Sequence, residues 1–323
     1  MNFINAWNRF WFSRVDPLPL SMTRVGVGLL WLVWLMVTAP NWQRFYAQDG
    51  MLSLSEPDLN SRRSISHFNL IELTEQWIPV ASWWWIGLAL AITVAVGFKT
   101  RIATVGLLLF AMSIIRRNNY IVNGEELVLR MLLLYGCFSP WGERMSLDRW
   151  LKKATKENLP SEEILPLVWS WRMMQINFLL IYMISLPYKF AQDIDWFTGD
   201  ALHWTIASDM WWTRNWMADI TLSFNGVIRK LMTWGTVLLE GTFPICVCFR
   251  RTRVPSTLAM MSLHFGIAYC IPGVTLFTLS MIVGSAMFLP GEFYKNLAVI
   301  VGMDRSSLVL EVLSIRREPY GIR

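Results

Sequence analysis

Apolar residues run along this chain in long blocks, separated by short polar stretches. The blocks lack the strict alternation of half-buried strands and approach the ~20 residues that a membrane-crossing helix requires. Eight stretches read this way: 19–39, 78–97, 102–116, 126–141, 170–188, 231–249, 254–271 and 275–290. The expected fold class is therefore all-α, a polytopic transmembrane helical bundle of about eight spans plus interfacial helices. Residues 1–290 form the membrane domain in this reading, and 291–323 form a cytoplasmic tail.

Two stretches break the pattern. The stretch 200–217 is too charged and too aromatic for a simple span and reads as an interfacial or re-entrant helix. The start, with Trp7, Arg9, Trp11 and Arg14, reads as an amphipathic helix on the inner leaflet rather than a cleaved leader.

Composition sharpens this picture. Of the 323 residues, 54% are hydrophobic and 16% charged, against about 25% charged in a soluble domain. The 19 tryptophans suit the two lipid–water boundaries, where the ring is buried and the N–H stays wet. The net charge of +6 does not gather into one basic surface, so nucleic acid is not an expected partner; the bilayer is. The four cysteines are scattered, and no H-E-x-x-H or i,i+4 histidine pair occurs, so neither a disulfide framework nor a metal site is expected.

The basic residues suggest an orientation. Lys99 and Arg101, the Arg144–Lys156 cluster, Arg250, Arg251 and Arg253, and the C-terminal arginines all fall on one side if both termini are cytoplasmic. Arg116, Arg117, Arg229 and Lys230 then fall outside, against the rule. Lys189 also lies at the outer face.

Charges inside spans are costly and face protein or a wet cavity. Glu240 and His264 occupy adjacent spans at similar depth, roughly 15 Å from the inner boundary at 1.5 Å rise per residue. They could form a structural pair, or an acid–imidazole relay in which Glu240 orients the ring. Arg130 follows Glu126 at i,i+4 and reads as a structural pair. Arg172 opens the fifth span with Gln175 near it. Lys189 reads in two ways. It is an anchor whose head snorkels to water, or an amine buried beneath Trp196, where lost hydration favours the neutral base. Asp193 and Asp195 would oppose the second.

Five stretches, taken in order, resemble one family. QRFYAQDGML (43–52), RRNNYIVNGEELVLRMLLLYGCFSPWGERMSLDRW (116–150), LPYKFAQDIDWFTGDALHW (186–204), LLEGTFPICVCF (238–249) and LHFGIAYCI (263–271) are similar to blocks of the HTTM family. That family includes the membrane part of the vitamin K-dependent γ-carboxylase. The resemblance implies Lys189 as a base acting on a quinol, with His264 and Glu240 at matching polar positions of the later helices. It implies Asn118, Asn119, Tyr120, Arg130 and Trp196 as supporting or substrate-binding residues. The chain departs from the carboxylase at Tyr120, where a functional histidine would stand, and 291–323 is too short for the luminal domain. A stand-alone, multi-pass protein of a bacterial inner membrane is the form implied.

Two functions from different classes follow. An enzyme would modify a quinol, lipid or exported peptide at the outer face, and predicts a buried Lys189 with a cavity reaching His264. A non-enzymatic factor for maturation or export of a secreted partner predicts an exposed Lys189 and an apolar outer groove. A transporter would need polar access from both sides, and no repeated halves or matched broken helices are evident.

Overall fold

The structure, a computed structural model, describes residues 3–13, 15–47, 50, 69–118, 121, 123–154, 169–208 and 216–300. Among them the regular elements are all helical. The first half holds α1 (Phe3–Phe12), α2 (Leu18–Thr38), α3 (Trp42–Tyr46), α4 (Leu70–Thr74), α5 (Val80–Val96), α6 (Thr100–Arg117), α7 (Gly124–Phe138) and α8 (Leu147–Ala154). The second half holds α9 (Trp169–Gln192), α10 (Asp195–Thr198), α11 (Ala201–Ala207), α12 (Trp216–Ser223), α13 (Gly226–Cys246), α14 (Arg250–Cys270), α15 (Thr275–Ala286) and α16 (Gly291–Ile300).

Each of the eight apolar stretches is a helix, with ends set by local chemistry. Asn123 and Glu126 form a reciprocal capping box at the start of α7. The Asn225 side chain accepts from the Val227 N–H at the start of α13. Gly97 ends α5 in the left-handed region, at φ 76°, where a side chain would be strained.

Among the described residues one helical run, Leu18–Tyr46, is long and apolar enough by itself to cross a membrane. The pair Pro272–Ala286 and Gly291–Ile300, bent by 109°, meets the same test only together. Helices α5, α7 and α15 have 17, 15 and 12 residues. Helices α6, α9, α13 and α14 are longer, but charged or polar side chains interrupt their apolar runs. The expected 200–217 helix is instead two short helices, α11 and α12, with 209–215 outside the described residues. The beginning of the expected tail is a docked helix: in α16 the Tyr294 hydroxyl donates to the Ala286 carbonyl at 2.7 Å, and Lys295 pairs with Asp16 at 3.2 Å. Residues 301–323 lie outside the described residues.

Helices α2, α5, α6, α7, α9, α13, α14 and α15 pack around a continuous core that includes Trp31, Leu35, Phe110, Phe178 and Phe243. Leu29, Val33, Val37, Trp85 and Ile102 point outward and are exposed. Gly28 sets the closest approach of α2 and α5, where a Cβ would lie 2.6 Å from the Ala95 backbone nitrogen.

Arg24, fully buried on α2, ties one end of the bundle. Its guanidinium donates to the carbonyls of Trp141 (3.1 Å), Val94 (2.5 Å), Ala95 (2.8 Å) and Met145. Asp148 completes the tie by accepting from the backbone N–H groups of Lys99 (2.7 Å) and Thr100 (2.8 Å) and from the Thr100 hydroxyl (2.8 Å). It thereby supplies the acceptor that the first turn of α6 needs.

Candidate functional site

Lys189 lies inside α9, not beyond it. Pro187 has no N–H to donate one turn back, yet the helix continues to Gln192 and is closed by the Asp193 N–H bonding the Lys189 carbonyl at 3.1 Å. This extra turn carries the amine to α13. There its Nζ donates to Glu240 Oε2 at 2.5 Å, with side-chain exposures of 21% and 7%. Nζ also stands 4.5 Å from the centre of the Trp196 ring, whose electron-rich face attracts a cation. Lys189 is thus one half of a largely desolvated ion pair and not a free anchor. Among the described residues Lys189 makes no ion pair with Asp193 or Asp195; the Asp193 carboxylate accepts from the Asp195 N–H at 2.8 Å.

The expected Glu240–His264 contact is replaced by two others. Glu240 takes Lys189, and His264 Nε2 is hydrogen-bonded to the Tyr182 hydroxyl at 2.9 Å. A carboxylate in an apolar helix is held most strongly by a full opposite charge, and the lysine reaches it. Tyr182 is buried on α9 with its ring against Phe178 and Phe243. It was not singled out from the sequence, although it precedes Lys189 by seven residues and so shares its helix face.

Lys189, Glu240 and His264 line one cavity of about 270 Å³ together with Thr205 and Thr278. Its remaining wall is apolar: Ile267, Ile271, Val274 and Phe277. His264 is 3% exposed, and its Nδ1 has no hydrogen-bond partner among the described residues. The site thus combines an ion pair, a buried imidazole, two hydroxyls and an apolar wall. Such a cavity can hold an apolar body with a polar end and can handle a proton there. Among the described residues no group of three or more metal-ligating side chains occurs.

The other expected support residues lie elsewhere. Asn118 is buried, and its Nδ2 donates to the Phe45 carbonyl at 3.0 Å. Asn119 and Tyr120 are outside the described residues. Arg130 does not form the expected ion pair. The Glu126 carboxylate accepts instead from Trp34 Nε1 at 2.8 Å and from the Asn123 N–H at 2.7 Å, which uses both its oxygens.

Three of the four basic residues expected on the outer side have carboxylate or carbonyl partners. Arg117 makes a bidentate pair with Glu75 at 3.3 and 3.0 Å. Arg229 donates to the carbonyls of Leu222 (2.7 Å) and Phe224. Lys230 pairs with Asp200 at 3.1 Å, and that hydrogen bond holds the Asp200 carboxyl below its usual range.

The fold and site define an all-helical protein with a charged pair set among apolar helices, the hallmark of a membrane-associated scaffold built around a polar pocket. The model of the HTTM domain matches residues 12–293, and the chain belongs to the HTTM family, a membrane-associated one. No match was found among curated proteins or among solved structures.

Proposed function

We propose that this chain is a multi-pass integral membrane enzyme. Its cavity takes a quinol, lipid or exported peptide at the outer face, and Lys189 exchanges a proton with it. About eight spans with both termini in the cytoplasm form the scaffold, in keeping with a bacterial inner membrane. The observation that carries this reading is the meeting of Lys189, Glu240 and His264 on one apolar-walled cavity. Glu240 holds the amine in place, and Trp196 covers it. When substrate enters, its acidic group competes with Glu240 for the amine. The low-dielectric wall then strengthens each polar contact inside.

A second reading, a non-enzymatic factor for a secreted partner, draws on the short helices near the cavity. Ile194, Phe197, Trp204 and Trp216 are large, apolar and exposed there.

The test uses purified protein in lipid nanodiscs with a short-chain quinol as probe, following tryptophan quenching for binding and absorbance for oxidation. Binding and turnover that are lost in Lys189→Met and in Glu240→Gln support the enzyme. If quinol and the lipid and peptide alternatives all bind equally to wild type and to both variants, the enzyme reading fails and the partner-binding one replaces it.

A further inference from the structure

We propose that Arg172 and Arg253 form a binding site for the phosphate of an anionic phospholipid. Neither residue lines the cavity, so the proposal stands apart from the functional reading above.

Two helix starts bring the pair together. Arg172 is the fourth residue of α9 and Arg253 the fourth of α14. Both segments reach the stretch that follows α15. Gln175, which accepts from Arg172, donates from Nε2 to the Met287 carbonyl at 3.4 Å, and Val254 packs in the cluster of Leu289 and Tyr294. The two guanidiniums are half-buried and close enough to repel each other.

Their protein partners are neutral. Arg172 donates from Nε to the Phe10 carbonyl at 3.4 Å and from Nη1 to Gln175 Oε1 at 2.8 Å. Arg253 donates from Nε to the Val247 carbonyl at 2.9 Å. Among the described residues neither makes an ion pair, and Arg172 Nη2 and both Nη groups of Arg253 have no acceptor. Arg117, by contrast, has the Glu75 carboxylate. Two neighbouring cations partly withdrawn from water carry a cost that a bound anion offsets. The planar guanidinium fork matches phosphate oxygens, and one phosphate offers enough of them to bridge both forks.

The surroundings select a lipid over a soluble phosphate. The Phe10 ring centre lies 5.1 Å from the Arg172 guanidinium carbon, and the Phe249 carbonyl accepts from the Arg253 N–H one turn along. Phe10 and Phe249 are 42% and 60% exposed, and Phe3, Ile4 and Trp7 extend the exposed apolar margin along α1. Cations beside outward apolar side chains suit a headgroup whose acyl chains cover those side chains. A soluble phosphate would use the cations and leave the apolar margin in water.

Native mass spectrometry of protein released from nanodiscs of equal phosphatidylglycerol and phosphatidylcholine reads which lipid stays bound. Wild type should retain phosphatidylglycerol in preference. Arg172→Gln and Arg253→Gln should each lower that preference about fivefold. Arg101→Gln, the same loss of charge at an exposed arginine, should leave it unchanged. A wild type that retains both lipids equally overturns the proposal without needing a variant to fold. So does full retention in both Arg172→Gln and Arg253→Gln, or an equal loss in Arg101→Gln, which would mean general charge attraction and no site. Glycerol 3-phosphate separates the two phosphate sources. If it raises the melting temperature of detergent-purified wild type as much as short-chain phosphatidylglycerol does, the lipid occupant is overturned in favour of a soluble phosphate; stabilisation by the lipid alone supports the proposal.

Discussion

The Lys189 ammonium lies 2.5 Å from the Glu240 carboxylate, although the two residues are 51 positions apart and sit on different helices. Removing one partner leaves the other charge stranded among apolar side chains. Glu240→Gln or Lys189→Met should each cost about 3 kcal/mol, near the lower end for buried pairs because Lys189 keeps some solvent contact. The double variant should recover much of that loss. Reversible unfolding in mixed micelles would measure it, and additive single effects would show that the pair is not coupled.

Arg24 binds four carbonyls with one planar fork. Lysine cannot reproduce the fork, so Arg24→Lys and Arg24→Ala should both destabilise by about 3 kcal/mol or more. A thermal shift for Arg24→Lys close to zero would contradict this role.

Acid should loosen the loop that Asp148 holds. Partial burial alone would raise the Asp148 carboxyl, but hydrogen bonds from Thr100 and Lys99 and the nearby Lys152 charge outweigh it and hold the group below its usual range. A depressed carboxylate contributes its full stability above the unfolded value of about 3.9 and loses it as pH falls through the folded value. Asp148→Asn should cost about 1 kcal/mol at neutral pH, as a lost helix cap does. It should also flatten the decline of melting temperature below about pH 4. Parallel acid limbs for both proteins would count against Asp148.

Two glycines should respond with opposite sign. A Cβ on Gly28 would strike the Ala95 backbone, whereas one on Gly235 meets nothing within 4 Å. Gly28→Ala should destabilise by about 1–3 kcal/mol through overpacking. Gly235→Ala should stabilise α13 by about 0.5–1 kcal/mol. Paired melting curves check both, and equal shifts would mean that α2 and α5 are not in close contact.

The helices were legible because their signals are local. An apolar block such as the one around Trp31 lies within the helix it sets. The continuation of α9 through Pro187 was not legible, since contacts with other elements hold the last turn against the missing hydrogen bond. Arg117 looked misplaced in the chain because its partner, Glu75, is 42 residues away.

The sequence by itself determined that the protein is helical and that Lys189, Glu240 and His264 are among the polar residues its apolar segments must accommodate. Only the tertiary structure decided their partners. Depth along two helices can be counted from spacing, but which side chains meet depends on how α9, α13 and α14 are rotated about their axes. That rotation gave Glu240 to Lys189 and His264 to Tyr182, because packing of whole helix faces, not the preference of one carboxylate, sets which polar groups come within reach.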